Sequence, residues 1–274
     1  MGLFDRFRKG HKDNINQNPE IKITAIDHGS HGDNIGGLIG FNNLNNEKGR
    51  AFVNELMAYS MTINSEMSSN KFEIKKVPIS SHSNLNIRIL TNKRNVLSAF
   101  PYLKTSYKLP FSTKEIIEWT HVNNCEAEII GGGRDTFGLD FFATDYAINK
   151  SQYQQNKNFE LSLSAVAFVV DKNESDQNTE VAFSEDFVAY IPSSNIQRQT
   201  YYDFIGKVID FEEVSINNLN TGYIARVKLI NDDSDPNFLT VDMFMNKENM
   251  RINSLDKGMK ISGLLWFQGE IASE

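Results

Sequence analysis

A single cysteine, Cys125, stands in a chain of 274 residues. That excludes an intrachain disulfide, and with it the usual mark of an oxidising compartment. No apolar run reaches the roughly 18–20 residues of a membrane-spanning helix. An excess of positive charge is also missing: 28 Lys and Arg face 35 Asp and Glu, for a net charge of −7. A protein that grips a phosphate backbone needs a cationic footprint, so nucleic acid is a disfavoured partner. The opening residues, from Met1 through Lys9, are basic but lack the apolar core of a signal peptide. Arg6 stands where a myristoylation motif requires Ser or Thr. The Asn-rich, Lys-containing composition reads as bacterial and cytoplasmic.

What is present is core-forming material. Apolar residues make up 40% of the chain and aromatics 11%, with 19 Phe, enough for substantial interiors. The length favours two domains. Residues 1–19 read as a flexible segment in which Leu3, Phe4 and Phe7 form a short amphipathic turn. Such a turn either touches a membrane surface or is a frayed end. Residues 20–192 read as an α+β domain, with a mixed, mostly antiparallel sheet. Residues 200–274 read as a small all-β barrel or sandwich. The polar stretch after Pro192 marks the boundary between them.

Within the first domain, Ile21 and Ile23 alternate with polar residues as a strand. The glycine-rich segment from His28 to Gly40 then reads as a long loop or a second strand. Phe52, Leu56, Tyr59 and Ile63 recur at helical spacing, with Asn46 as the cap, and predict a helix over residues 47–63. Residues 72–77 and 85–90 alternate as half-buried strands. Ser112 followed by Glu115 matches a capping box ahead of Ile116, Ile117 and Trp119, and predicts a helix over residues 113–121. A strand from Glu128 closes into a flexible turn at Gly131–Gly133, and strands follow at 137–142, 159–170 and 180–191. No internal repeat of fixed period is evident.

Three groups of residues invite a chemical reading. His28, His31 and Asp33 supply two imidazoles and a carboxylate within six positions, the ligand types of zinc and iron; ordinary turn chemistry explains the same residues. Gly131, Gly132 and Gly133 precede Arg134 and Asp135, with Asp140, Asp145 and Tyr146 beyond. Three glycines permit close backbone approach, and carboxylates at this spacing suit acid/base work when one is buried. This segment is the first place to expect a pocket, bound by Arg134, Asp140, Asp145 and Tyr146. Cys125 has His121 four residues earlier, but a lone cysteine reads better as a small core residue.

In the last region, Lys257-Gly258 precedes Lys260-Ile261-Ser262-Gly263-Leu264-Leu265-Trp266-Phe267-Gln268-Gly269. This strand–glycine–strand rhythm over residues 201–271 resembles the closing strands of OB-fold barrels. The resemblance implies a small closed barrel and, for an oligonucleotide binder, exposed aromatics for stacking. Tyr223, Phe244 and Trp266 are the candidates, although Asp232, Asp233 and Asp235 place acid nearby. Trp266, between Leu265 and Phe267, fits a core position as well as a binding one.

No cofactor signature is present: the glycines from Gly36 to Gly40 match neither the dinucleotide fingerprint nor a P-loop. The functional expectation is a non-enzymatic accessory, immunity-like protein that binds another protein. A hydrolase with a pocket over residues 131–146, and an OB-like oligonucleotide binder, are the alternatives.

Overall fold

The computed structural model describes residues 20–27, 30–92, 95–133, 137–173, 186–194, 200–217, 219–231 and 238–272. The expectations for residues 1–19, His28, Arg134, Asp135 and the acids at 232, 233 and 235 lie outside these, as do residues 180–185 of the strand expected over 180–191.

The elements run β1 (Lys22–Ile26), α1 (Gly32–Ile39), α2 (Phe41–Leu44), α3 (Glu47–Ser60), β2 (Met67–Ser68), β3 (Phe72–Pro78), β4 (Leu85–Asn92) and β5 (Val96–Leu103). Next come β6 (Lys108–Trp119), β7 (Ala127–Gly133), β8 (Phe137–Ala143), α4 (Tyr146–Gln155) and β9 (Asn158–Lys172). The chain then forms β10 (Ala189–Pro192), β11 (Tyr201–Ile216), β12 (Asn220–Lys228), β13 (Thr240–Asn246) and β14 (Lys260–Ile271). Strands β2 to β5 make a four-stranded sheet, antiparallel throughout. The others form a ten-stranded mixed sheet in the order β1-β6-β7-β8-β14-β9-β13-β12-β11-β10. Its pairs β1–β6, β9–β13 and β8–β14 are parallel.

Two extra pairings, β6–β9 and β14–β11, close this sheet on itself. The first ring of pairings is β6-β7-β8-β14-β9, and the second is β11-β12-β13-β9-β14. Both contain β9 and β14, which pair with each other over nearly their whole lengths. On its other edge, β14 lies beside β11 from Ile261 to Trp266, and then beside β8 at Gln268 and Gly269. β9 divides its other edge in the same way, pairing β6 through Asn158–Ser162 and β13 through Ser164–Ala167.

The expected C-terminal module therefore shares one hydrogen-bonded sheet with strands of residues 20–192. β14 takes β9 and β8 as neighbours, and β13 takes β9, because a strand whose two edges both need partners will cross a polar boundary to find them.

Alternation along the shared strands separates two cores. Leu161, Leu163, Ala165 and Ala167 of β9 point into the first core, which also holds Phe141, Met243, Tyr202, Leu265 and Phe267. Val166 and Phe168 point the other way. They pack with Phe142, Phe244, Trp266 and Ile224 against Leu38, Ile39, Phe52 and the apolar face of the small sheet.

The helix expected over residues 47–63 is present as α3, and the Asn46 side chain accepts from Gly49 N at 2.9 Å. Two local expectations are overturned. Residues 113–119 belong to strand β6, whose Ile116, Ile117 and Glu118 pair with Ile129, Glu128 and Ala127, with β1 on the other side. Two ladders of backbone hydrogen bonds and burial on both faces outweigh a capping box, which contributes about 1 kcal/mol. The glycine-rich segment expected as a loop or strand contains helix α1, with Leu38 and Ile39 fully buried. A Cβ on Gly37 would lie 2.5 Å from the Phe168 ring. Glycine thus lets the helix lie directly on β9, and that packing offsets its poor helix propensity.

Candidate functional site

The segment expected to form a pocket does lie beside open space. β7 and β8 form a hairpin in which Ile130 faces Asp140 and Gly131 faces Leu139. None of Gly131, Gly132 and Gly133 has positive φ. Close approach is their reason: a Cβ would meet the Ser112 carbonyl oxygen at 2.2 Å from Gly131 and the Phe137 carbonyl oxygen at 2.3 Å from Gly132.

Asp140 projects from β8 at the junction of the two rings, where β8 and β11 meet along the same edge of β14. The Tyr202 hydroxyl of β11 accepts from Asp140 N at 2.9 Å, and the Tyr190 hydroxyl of β10 donates to the Gly138 carbonyl at 2.8 Å. Around them is a concavity of about 540 Å³ with Phe137, Val188, Pro192 and Ile230 among its walls. Burial pushes the Asp140 carboxyl up to about 6, with Glu115 acting in the same direction and the Tyr202 hydrogen bond and Lys114 opposing it. Burial, reinforced by Asp140, raises the phenols of Tyr190 and Tyr202 as well. A larger concavity, of about 930 Å³, adjoins it across Phe137 and Gly138 and is lined by Phe111, Lys114, Lys157 and Phe159.

Asp145 and Tyr146, expected at the same pocket, are buried instead. Asp145 accepts from the Tyr153 hydroxyl at 2.5 Å and from Asn149 Nδ2 at 2.7 Å. Burial and the nearby Glu270 raise its pKa, against these hydrogen bonds and Arg88. Tyr146 donates to Glu118 Oε1 at 2.6 Å. Next to Asp145 lies a group with no local sequence signal. Arg88 of β4 donates to Glu66 at 2.9 Å, Glu270 at 2.5 Å and Thr144 at 3.0 Å, and sits 3.5 Å above the Tyr102 ring. Its partners come from separate strands and loops, so only the fold brings them together. Arg88 is the cation shared by Glu66 and Glu270, and the cluster ties the small sheet to the large one.

His31 belongs to a second buried group. Its Nε2 is 3.2 Å from Glu126 Oε2 and its Nδ1 is 2.9 Å from Asn34 Nδ2, so both ring nitrogens face protein partners. Phe100, Trp119, Phe142 and Trp266 surround the imidazole at centroid distances of 4.7–6.1 Å. Burial disfavours the Glu126 carboxylate, but the charge and hydrogen bond of His31, together with Ser98 and His121, hold it below the usual range. Asp33 is exposed, and no three metal-binding side chains converge among the described residues. Cys125 is buried, donating to the Asn123 carbonyl at 3.5 Å, with its thiol pushed up to about 11 chiefly by burial. Trp266 is fully buried against Phe142, with ring centroids 5.4 Å apart, and offers no face to a base.

The Asp140 concavity is thus where a sequence-derived site residue meets accessible space. Compared with known proteins, the chain matches no family model, no curated protein and no solved structure.

Proposed function

We propose that this protein acts by recognising another protein, and that the partner adds a β-strand to the outer edge of β1. One observation carries the reading: β1 closes one end of the ten-stranded sheet and pairs with β6 alone among the described residues. Ile23 and Ile26 on this strand are 47% and 39% exposed. A row of backbone donors and acceptors with no strand partner among the described residues, flanked by apolar side chains, is the template used in strand addition, where main-chain hydrogen bonds provide affinity and side-chain contacts provide selectivity. The buried Arg88 and His31 clusters suit a rigid scaffold behind such an edge. The two rings of pairings, read as small barrels fused through β9 and β14, supply that scaffold.

The test uses the full chain with Ile23→Lys and Ile26→Lys together. The expected result is a partner recovered from the native host that protects β1 amides from hydrogen exchange and is lost with the double variant, while melting stays parental. A partner that binds the variant equally well, or that protects other strands and leaves β1 exposed, would refute the edge reading.

A second reading, oligonucleotide binding at the first ring, draws support from the larger concavity, where Lys114 and Lys157 flank Phe137 and Phe159. Cationic side chains beside aromatic faces suit a single strand, and five strands is the number in an OB-fold barrel. Glu160 in the same wall opposes it. Fluorescence anisotropy with labelled single-stranded DNA and RNA tests this directly: binding that vanishes in Lys114→Glu would support it, and flat titrations would remove it.

A further inference from the structure

The two rings contain the same short pattern on their third strands. Leu139-Asp140-Phe141-Phe142-Ala143 lies on β8, and Val241-Asp242-Met243-Phe244-Met245 lies on β13. In each, the residue after the Asp enters the first core and the Phe beyond it enters the second. Each strand also makes the parallel pairing of its ring, Phe142 with Gln268 and Phe244 with Val166. Asp140 and Asp242 are therefore equivalent positions.

Their surroundings differ in one decisive way. Across the ladder from Asp242 stands Arg226, whose Nε is 3.1 Å from the carboxylate, and Thr105 Oγ1 donates to it at 2.7 Å. Across from Asp140 stands Ile130, and no cation lies within ion-pair distance of its carboxylate among the described residues. Among the described residues, open space lies where Asp242 has its cation. The carboxylate, the Tyr190 and Tyr202 hydroxyls and the apolar walls of Phe137, Val188 and Ile230 share one concavity.

We propose that the concavity at Asp140 is a binding site for an organic ammonium ion, a protonated primary amine carrying an apolar body. The ammonium takes the position that the Arg226 guanidinium holds at Asp242 and donates to the Asp140 carboxylate. Its remaining N–H groups reach the Tyr190 hydroxyl oxygen or water. Tyrosine rings attract a cation through their quadrupole, and the apolar body displaces water from the far wall. Burial disfavours the Asp140 carboxylate despite the Tyr202 hydrogen bond, and a bound cation offsets the part of that cost that remains. The charged groups facing Asp140 are Lys114 and Glu115 of β6, with the phenols of Tyr190 and Tyr202 on β10 and β11. With the free carboxyl titrating near 6 and the amine protonated throughout, binding weakens as pH falls through that value. Asp140 lies three strands in from β1 along the row Lys22–Glu115–Ile130–Asp140, and amine binding there does not require a partner on the β1 edge.

Phenethylammonium and its neutral counterpart 2-phenylethanol, titrated into the full chain by calorimetry at pH 8 and pH 5, test the proposal. At pH 8 the amine should bind at least about tenfold more tightly than the alcohol, the scale of one charge-assisted hydrogen bond. At pH 5 that advantage should shrink. Asp140→Asn should erase it with parental melting. Ile130→Arg should erase it too, by installing the internal cation that Asp242 already has, so the proposal stays testable if either variant folds poorly. Equal binding of amine and alcohol, an unchanged advantage in Asp140→Asn, or no amine binding at 10-fold excess over roughly millimolar protein would each overturn it.

Discussion

The two rings share two strands and one connectivity of strand pairs, yet they handle charge in opposite ways. The second ring neutralises its third-strand aspartate internally, with Arg226 across the ladder and Thr105 reaching in from the segment after β5. In the first, Ile130 stands across from the equivalent Asp140, which faces tyrosines at the seam between rings and has no cation within ion-pair distance among the described residues. It buries a further acid, Asp145, at the start of α4, the helix that joins its third strand to β9. In the second ring the chain after β13 makes a short helical turn over Lys247–Asn249. The lesson is that a repeated backbone fixes where a side chain stands but not its electrostatic role. A single cross-strand difference, isoleucine against arginine, separates a structural ion pair from an open carboxylate.

The largest test of this comparison asks whether either ring exists alone. Residues 200–274 carry β11 to β14 but lack β9, the strand that both β13 and β14 require. Expressed alone, this fragment should lose the cooperative thermal transition of the full chain by circular dichroism. A sharp β-type transition in the fragment would instead establish the second ring as autonomous and limit the sharing of β9 to docking.

Next in size is the wall between the two cores. Trp266→Ala leaves a cavity among Phe142, His31 and the small-sheet side chains. It should cost about 3–5 kcal/mol in chemical denaturation. A variant as stable as the parent would show that this wall can collapse around a missing indole.

The buried acid predicts a pH signature. The Asp145 pKa is raised in the folded chain, so between the ordinary carboxylate value and that raised value the folded state holds a proton that the unfolded state has released. Its contribution to stability is complete at low pH and is lost as pH rises through that window. Asp145→Asn removes the titration, so the parent-minus-variant difference in unfolding free energy should fall from pH 4 to pH 7. A flat difference would place the proton elsewhere in the Glu270–Arg88 cluster. Glu126, held below its usual range, carries the opposite sign and contributes stability that disappears in acid.

The smallest effect belongs to the ion pair itself. Arg226 is half exposed and Asp242 is mostly covered, so Arg226→Ala should destabilise by no more than about 1 kcal/mol. The same change should leave amine binding at Asp140 untouched, and a loss of binding there would mean that the two seams are coupled.

What the sequence by itself determined was local and periodic. The alternation of β9, the helical spacing of Phe52 and Leu56 with Asn46 as cap, and the half-buried strands β3 and β4 could be read from residue order. Tertiary structure decided the rest, because the deciding partners are distant in the chain. Ser112 and Glu115 read as a helix start until β7, 12 or more residues on, takes Ile116 and Ile117 into a ladder. Gly36 and Gly37 read as loop or strand until Phe41 and Phe168 press on the helix they form. Arg88 collects Glu66, Thr144 and Glu270 from positions up to 182 residues apart. The likeness of the two third strands is five residues long, too short to stand out as a repeat. It becomes visible only when parallel pairing to β14 and β9 sets Phe142 and Phe244 in matching places. Hydrophobic period is a property of neighbours in sequence, whereas ring closure, charge pairing and the emptiness beside Asp140 are properties of neighbours in space.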